Sequence, residues 1–322
     1  DRLTLDAVPD AWDGAPKLAG VDVAFIRDPL ARFNALKTGE IDLMLYTASD
    51  ALPQIKATPG LHFKATPTAE LVWVQLNHRR PPFDEVAVRQ ALAAAIDRQP
   101  IATTVLNGAY DAFDSVYPPT LPWAVRGVIK YDAAGAKKLL DDAGWRPGPD
   151  GIRVKDGKRL GFELLHYPQQ PDSKPMGEAM QAQLKAAGFD VRLKQVDDIT
   201  AVFKSREYDA GIRYNSMQKT GNPMSILNTN FRTDSPGNEG GWGSAELDAL
   251  IRRLNVEFDE RARTDQLRQV QEHFRKDVPI TFSVSKRWSA AVVDAYSDYV
   301  ASHDNHAYVV TKDTAPAPGK AR

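Results

Sequence analysis

The sequence predicts an α/β fold built from strand–helix–strand units. Three observations carry this. Residues 21–46 read strand, helix, strand; residues 160–215 repeat the alternation; and 43% hydrophobic against 26% charged residues over 322 positions supports a sizeable core.

In the first block, Val21–Ile26 (VDVAFI) predicts a strand. Asp28-Pro29 supplies an N-cap and a proline at the first helical position. Leu30, Phe33 and Leu36 form an apolar helix face, and Gly39 ends the helix. Ile41–Tyr46 (IDLMLY) predicts the next strand, and a right-handed crossover would leave the two strands parallel.

Two helices follow before the second block. One spans Asp84–Asp97, with Val88, Ala91, Leu92, Ala95 and Ile96 inward. The other runs from the cap Asp132 to Ala143, with Gly144 just beyond. The turn cluster Pro147–Gly151 predicts a hairpin tip or exposed connection.

In the second block, Leu160, Phe162 and Leu164 alternate as in a strand. Pro175 opens a helix with Met176, Ala179, Met180, Leu184 and Ala187 on one face, closed by Gly188. Phe189, Val191 and Leu193 form a half-buried strand. A short helix, Thr200–Ser205, leads to the strand Tyr208–Asn215. Ser216–Gly243 is then long, irregular and rich in Gly, Asn and Pro, which predicts a ligand-facing loop. Two amphipathic helices, Ser244–Val256 and Asp259–Asp277, precede a buried strand, Val278–Ser285.

Composition excludes several functions. The 41 basic and 42 acidic residues balance to a net charge of −1, unlike a nucleic-acid binder. Cysteine is absent, which removes disulfides, Cys-ligated zinc and thiol catalysis; it is compatible with an oxidising compartment. No apolar run reaches the ~18–20 residues a membrane span needs. No nucleophile elbow, phosphate loop or H-E-x-x-H motif is present, so no catalytic residues, cofactor or metal site are assigned. The pairs Asp141-Asp142 and Asp197-Asp198 read as solvated acids. Among six histidines, His303 and His306 share a spacing of three, but the intervening Asp304-Asn305 suggests a turn.

Several long motifs then fall in register. LNHRRPPFDEVAVRQALAAAIDR (Leu76–Arg98) resembles the segment N-x-x-x-P-P-F-D-D-x-x-V-R-x-A-L-x-x-A-I-D-R of extracellular solute-binding proteins, family 5. These are the oligopeptide-, dipeptide- and nickel-binding proteins of ABC importers. ARFNALKTGEIDLM (Ala31–Met44), YDAAGAKKLLDDAGW (Tyr131–Trp145), LNTNF (Leu227–Phe231) and ELDALI (Glu246–Ile251) are similar to further segments of that family, in the same order. Pro9–Gly14 looks like the counterpart of its D-x-Y-W-G region.

The resemblance implies a periplasmic binding protein-like fold of type II. Residues 1–75 would be part of domain I, 76–285 the complete domain III with the ligand-binding wall, 286–313 a return to domain I, and 314–322 a frayed tail. The chain would be a C-terminal fragment. Two segments, Leu71–Asn77 and Ser285–Ala291, would cross between lobes that close on a solute. The implied function is capture of a peptide-like, carboxylate-bearing or metal-chelate solute. A monomer would deliver it to membrane permease subunits from a periplasmic or lipid-tethered extracellular location, without chemistry and without nucleic acid. The alternatives are a sensor or chaperone-like binding protein on the same fold and, third, a hydrolase.

Ligands of open α/β sheets sit beyond the carboxyl ends of strands, which directs attention to the end of Tyr208–Asn215. Tyr214 and Met217 would supply apolar contact, Asn215, Gln218 and Asn222 hydrogen bonds, and Lys219 a charge. In the peptide-binding relatives the place counted back from Pro223 carries an Asp that pairs with the peptide ammonium. Lys219 stands there, which favours an anionic ligand group. His78 follows the crossing strand and is a candidate for the cleft; Trp242 after Gly240-Gly241 either approaches the solute or packs the loop. Trp73 reads as part of the domain I core ahead of ligand stacking, and Arg213, on the strand face opposite Tyr214, as a structural or surface arginine.

Overall fold

A computed structural model describes residues 2–45, 47–115, 117–119, 121–216, 222–301 and 309–320. The chain divides into two compact units. The first comprises residues 1–68, 107–109 and 287–322; the second comprises 69–106 and 110–286.

The first unit begins with β1 (Arg2–Asp6) and β2 (Gly20–Ala24), an antiparallel pair with Leu3 opposite Val23. Helix α1 (Pro29–Thr38) starts as its sequence dictates: the Asp28 carboxylate accepts the Ala31 amide at 2.7 Å, and proline holds the first position. It stops at Gly39, whose φ of 74° suits a residue without Cβ. Its buried face is Phe33, Ala35 and Leu36, whereas Leu30 is exposed. β3 (Leu43–Leu45) and α2 (Leu52–Ala57) follow. Phe33, Leu36, Met44 and Ile55 pack with Ala291, Val293 and Ala295 into a small core.

The expected parallel pairing of β2 with β3 is not formed among the described residues. β2 bonds to β1, and β3 bonds antiparallel to residues 290–292 of a later strand. That later stretch is fully buried, so β3 gains more apolar contact there than β2, none of whose side chains is fully buried, would offer.

β4 (Leu61–Leu76) runs from the first unit into the second. There, α3 (Val86–Ala94) buries Val88, Ala91 and Leu92. α4 (Arg98–Pro100) continues into a wide π turn over Ile101–Val105, and β5 (Tyr110–Ala112) follows. α5 (Ala133–Asp142) is capped by Asp132, which accepts the Gly135 amide at 2.8 Å. β6 (Arg146–Pro147), β7 (Arg153–Lys155) and β8 (Lys158–Arg159) form a small antiparallel sheet, with the Pro147–Gly151 cluster at the first hairpin tip.

The strand–helix–strand unit expected from residue 160 onward is present. β9 (Gly161–His166), α6 (Ser173–Ala187) and β10 (Asp190–Gln195) place β9 and β10 parallel. Met176, Met180, Leu184 and Ala187 are buried as their spacing requires. The helix begins two residues before Pro175 and ends at Gly188, with φ of 99°; a Cβ there would lie 2.6 Å from Arg153 Cγ. α7 (Ile199–Ser205) leads to β11 (Ala210–Ser216), parallel to β9 and antiparallel to β4.

Within the expected irregular stretch 216–243, residues 224–231 are helical: α8 (Met224–Ile226) merges into a π turn, Leu227–Phe231. Met224, Ile226, Leu227 and Phe231 are all buried. Met224, Leu227 and Phe231 keep a helical i, i+3, i+7 spacing, but over only a short stretch set among Gly, Asn and Pro, whose composition reads as loop. α9 (Ala245–Asn255) and α10 (Glu260–Asp277) pack Leu247, Leu250, Ile251 and Leu254 with Leu267, Val270 and Phe274 in the main core. β12 (Ile280–Val293) is longer than the predicted strand and continues back into the first unit. In the second unit the strands neighbour one another in the order β10-β9-β11-β4-β12, and β5 also pairs with β12.

Candidate functional site

Because β9 and β11 are parallel, their carboxyl ends share one edge of the sheet. β9 delivers His166 and then Tyr167; β11 delivers Tyr214 and Asn215. The turn from β9 into α6 carries Asp172, and Ser173 Oγ fixes that turn by donating to the Tyr167 carbonyl at 3.0 Å. Tyr110 of β5 and Lys286 of β12 complete the group, lying opposite each other in their ladder.

The side chains converge on the Tyr214 ring. Tyr110 donates its hydroxyl hydrogen to Asp172 Oδ2 at 2.9 Å, and its oxygen lies 3.4 Å from the Tyr214 hydroxyl. The Tyr167 ring meets Tyr214 edge-on at 6.2 Å between centroids. Lys286 Nζ stands 5.9 Å from the Tyr214 centroid, within cation–π range. Met176 offers its sulfur to the Tyr214 hydroxyl at 3.9 Å. Tyr110, Tyr167 and Asp172 are buried, and Tyr214 is half-buried.

Burial pushes the Tyr110 and Tyr214 hydroxyls well above the ordinary phenol range, with Asp172 adding to both shifts. Burial likewise raises Tyr167 to about 12, less the effect of a hydrogen bond from the Tyr214 amide. All three are protonated donors at neutral pH. The group offers aromatic faces, hydroxyls, one carboxylate and one ammonium: the means to orient and desolvate a small molecule. Among the described residues, no three His, Asp or Glu side chains gather as a metal cluster.

The sequence-derived candidates are distributed unevenly. Tyr214 and Asn215 lie at this edge. Met217, Gln218 and Lys219 lie outside the described residues, as do His303 and His306. Asn222 is exposed and occupied locally: its Oδ1 accepts the Met224 amide at 3.0 Å and Arg263 Nη2 at 3.1 Å. Arg213 faces away from Tyr214, ion-paired to buried Glu239 and stacked 5.2 Å from the Phe203 centroid. Trp73 is fully buried in the core.

Two candidates lie apart from the tyrosines. The Asn77 amide bonds to the Asp209 carbonyl, just before β11, so His78 sits at the opposite end of that strand from Tyr214. At ~3.3 Å per residue the separation is on the order of 20 Å. His78 Nε2 donates to the Pro279 carbonyl at 3.1 Å. Trp242 is in the main core, its ring 5.7 Å from Phe274 and 6.3 Å from Phe231. Tyr110, Tyr167, Asp172 and Lys286 escaped the sequence reading. Tyr167, directly after a predicted strand, carried a usable signal; the others come from distant segments that only the fold brings together.

His78 gives a pH prediction. Burial, then the Arg89 charge, lowers its pKa from 6.5 to about 3. The unfolded chain therefore takes up a proton at a pH where the folded chain refuses it. Stability from this group is present above pH 6.5 and falls by about 1.4 kcal/mol per pH unit toward pH 3. His78→Gln should flatten the acid limb of a urea-unfolding pH series. Parallel limbs in the two proteins would contradict it.

Comparison with known proteins identifies the family and the fold. The family described as bacterial extracellular solute-binding proteins, family 5 Middle, matches residues 1–238. The nickel-binding periplasmic protein of Escherichia coli strain K12 is 32% identical over 204 residues, 61% of this chain and 39% of that protein. The di/tripeptide-binding protein 1 of Pseudomonas aeruginosa strain UCBPP-PA14 is 28% identical over 274 residues, 82% of this chain and 49% of that protein. The chain thus spans about half the length, or less, of these relatives.

Two solved structures share the fold. Brucella suis NikA in complex with Fe(III)-EDTA superposes with a TM-score of 0.85 at 24% identity, covering 95% of this chain and 64% of that one. Bacillus subtilis AppA in complex with a nonapeptide does so with a TM-score of 0.79 at 22% identity, covering 98% and 66%. The protein belongs to the bacterial extracellular solute-binding proteins of family 5.

Proposed function

We propose that this chain is the solute-gripping part of the binding component of an ABC importer. It captures a peptide-like solute or metal chelate outside the cytoplasmic membrane, in the periplasm or on the cell exterior. It then hands the solute unchanged to membrane permease subunits. The family match over residues 1–238 carries the proposal. The tyrosine group at the carboxyl ends of β9 and β11 supports it, since it provides hydrogen bonds and aromatic faces. The named relatives bind nickel in one case and di- or tripeptides in another.

In this reading the second unit corresponds to domain III and the first to part of domain I. Tyr214 and Asn215 contact the solute, with Met217, Gln218, Lys219 and Asn222 on the adjoining segment. A solute held by one lobe keeps fewer contacts against the same loss of translational and rotational freedom. Calorimetry with L-alanyl-L-alanine and Ni(II)-bis(L-histidine) tests the proposal. The intact protein should bind one of them, and residues 1–322 alone should bind it weakly or not at all. Failure of the intact protein to bind either solute would overturn the reading.

A further inference from the structure

Asp172 is an exception among the helix-capping aspartates of this chain. Asp28, Asp97, Asp132, Asp198 and Asp259 each turn a carboxylate oxygen onto an amide of the helix they begin. Asp172 holds the same position at the start of α6, yet its side chain makes no capping bond. It is buried, and it accepts the Tyr110 hydroxyl at 2.9 Å. An aspartate at an N-cap ordinarily stabilises its helix by capping a free amide. Here the carboxylate is diverted to a tyrosine instead.

The diversion fixes the direction of a chain of hydroxyls. A tyrosine has one hydrogen to donate, and Tyr110 gives its own to Asp172. In the 3.4 Å contact between the two tyrosines, Tyr110 can then only accept, and Tyr214 is the donor. That contact is longer than an ordinary O–H···O bond of roughly 2.5–3.0 Å. Among the described residues the other acceptor within reach is Met176 sulfur at 3.9 Å, a weak one. Tyr214 is the half-buried one of the three tyrosines, and the two acceptors its hydrogen meets among the described residues are one distant and one weak.

Resting on the reading of this edge as the solute site, we propose that Tyr214 donates its hydroxyl hydrogen to a carbonyl or carboxylate oxygen of the solute, and that Asp172, acting through Tyr110, is the positioning residue that holds this donor. The chemistry selected is an acceptor oxygen. Both a peptide and an amino-acid chelate present one, and the two probes separate these sources. Lys286, over the same ring, adds attraction for an anionic oxygen.

The test is calorimetry on the intact protein with L-alanyl-L-alanine and Ni(II)-bis(L-histidine), comparing wild type with Tyr214→Phe, Asp172→Asn, Asp172→Ala and the Tyr214→Phe/Asp172→Ala double variant. For whichever probe the wild type binds, Tyr214→Phe should weaken binding about tenfold, the worth of one well-made hydrogen bond. Asp172→Ala should weaken it similarly, and the double variant no further than either single one, because both changes act on one hydroxyl. Asp172→Asn, whose carbonyl can still accept from Tyr110, should stay within about threefold of wild type. A Tyr214→Phe loss under about threefold, or losses that multiply in the double variant, overturns this inference while leaving the solute-binding reading intact. A wild type that binds neither probe overturns both.

Discussion

Trp242→Ala should cost about 3–5 kcal/mol of stability, the range for truncating a buried aromatic to alanine. The ring is 7% exposed and packs edge-on against Phe231 and Phe274, which themselves lie 4.7 Å apart between centroids. Removing it leaves a cavity at the junction of the π turn, the loop before α9, and α10. Those walls are pinned by helices, so they close only partly around the void. Trp242→Phe keeps an aromatic wall and should retain more than half of that stability. Urea unfolding of the three proteins reads the effect. A loss below about 1 kcal/mol accompanied by loss of solute binding would place the indole against the solute instead of in the core.

Glu239→Ala should be similarly damaging, by about 3 kcal/mol. Glu239 is buried, and its carboxylate pairs with Arg213 of β11, whose side chain is only 20% exposed. Truncation leaves a largely desolvated guanidinium without its counter-charge, and loss of one partner of such a pair typically costs about 3–5 kcal/mol. The lower end applies because Arg213 keeps its stacking on Phe203 and some access to water. Replacing both charges, as in Arg213→Met/Glu239→Leu, should recover much of the loss, since no charge is then stranded. A double variant as unstable as Glu239→Ala would show that Glu239 acts through its loop rather than through the ion pair.

The local elements were legible wherever a capping residue, an apolar stripe and a terminating glycine agreed. Asp28, Pro29 and Gly39 bound α1 as read, and Asp132 and Gly188 do the same for α5 and α6. Partner choice was not legible. A strand pattern states that a face is half-buried but not which strand covers it, so the pairing of β3 with β12 had no local signature. The helical turns at 224–231 were missed for another reason: Met224, Leu227 and Phe231 are helically spaced, but over a stretch too short to outweigh the Gly, Asn and Pro around it.

The site was legible to the extent that topology rules place ligands at strand carboxyl ends. That rule directed attention to Tyr214 and Asn215, at the end of a strand parallel to β9. It could not supply Tyr110, Asp172 or Lys286, which reach Tyr214 across 104, 42 and 72 positions of sequence. The buried Arg213–Glu239 pair was hidden likewise, because Glu239 falls in a stretch whose composition reads as loop.

On the function proposed above, this protein holds a small molecule noncovalently and releases it unaltered. Native mass spectrometry of the intact protein, purified without refolding and then denatured in the same instrument, tests it most directly. The expected result is a complex heavier than the polypeptide by the mass of one small solute, and on denaturation a bare chain together with that same solute intact. A mass addition that survives denaturation, or recovery of the solute in chemically changed form, would contradict it.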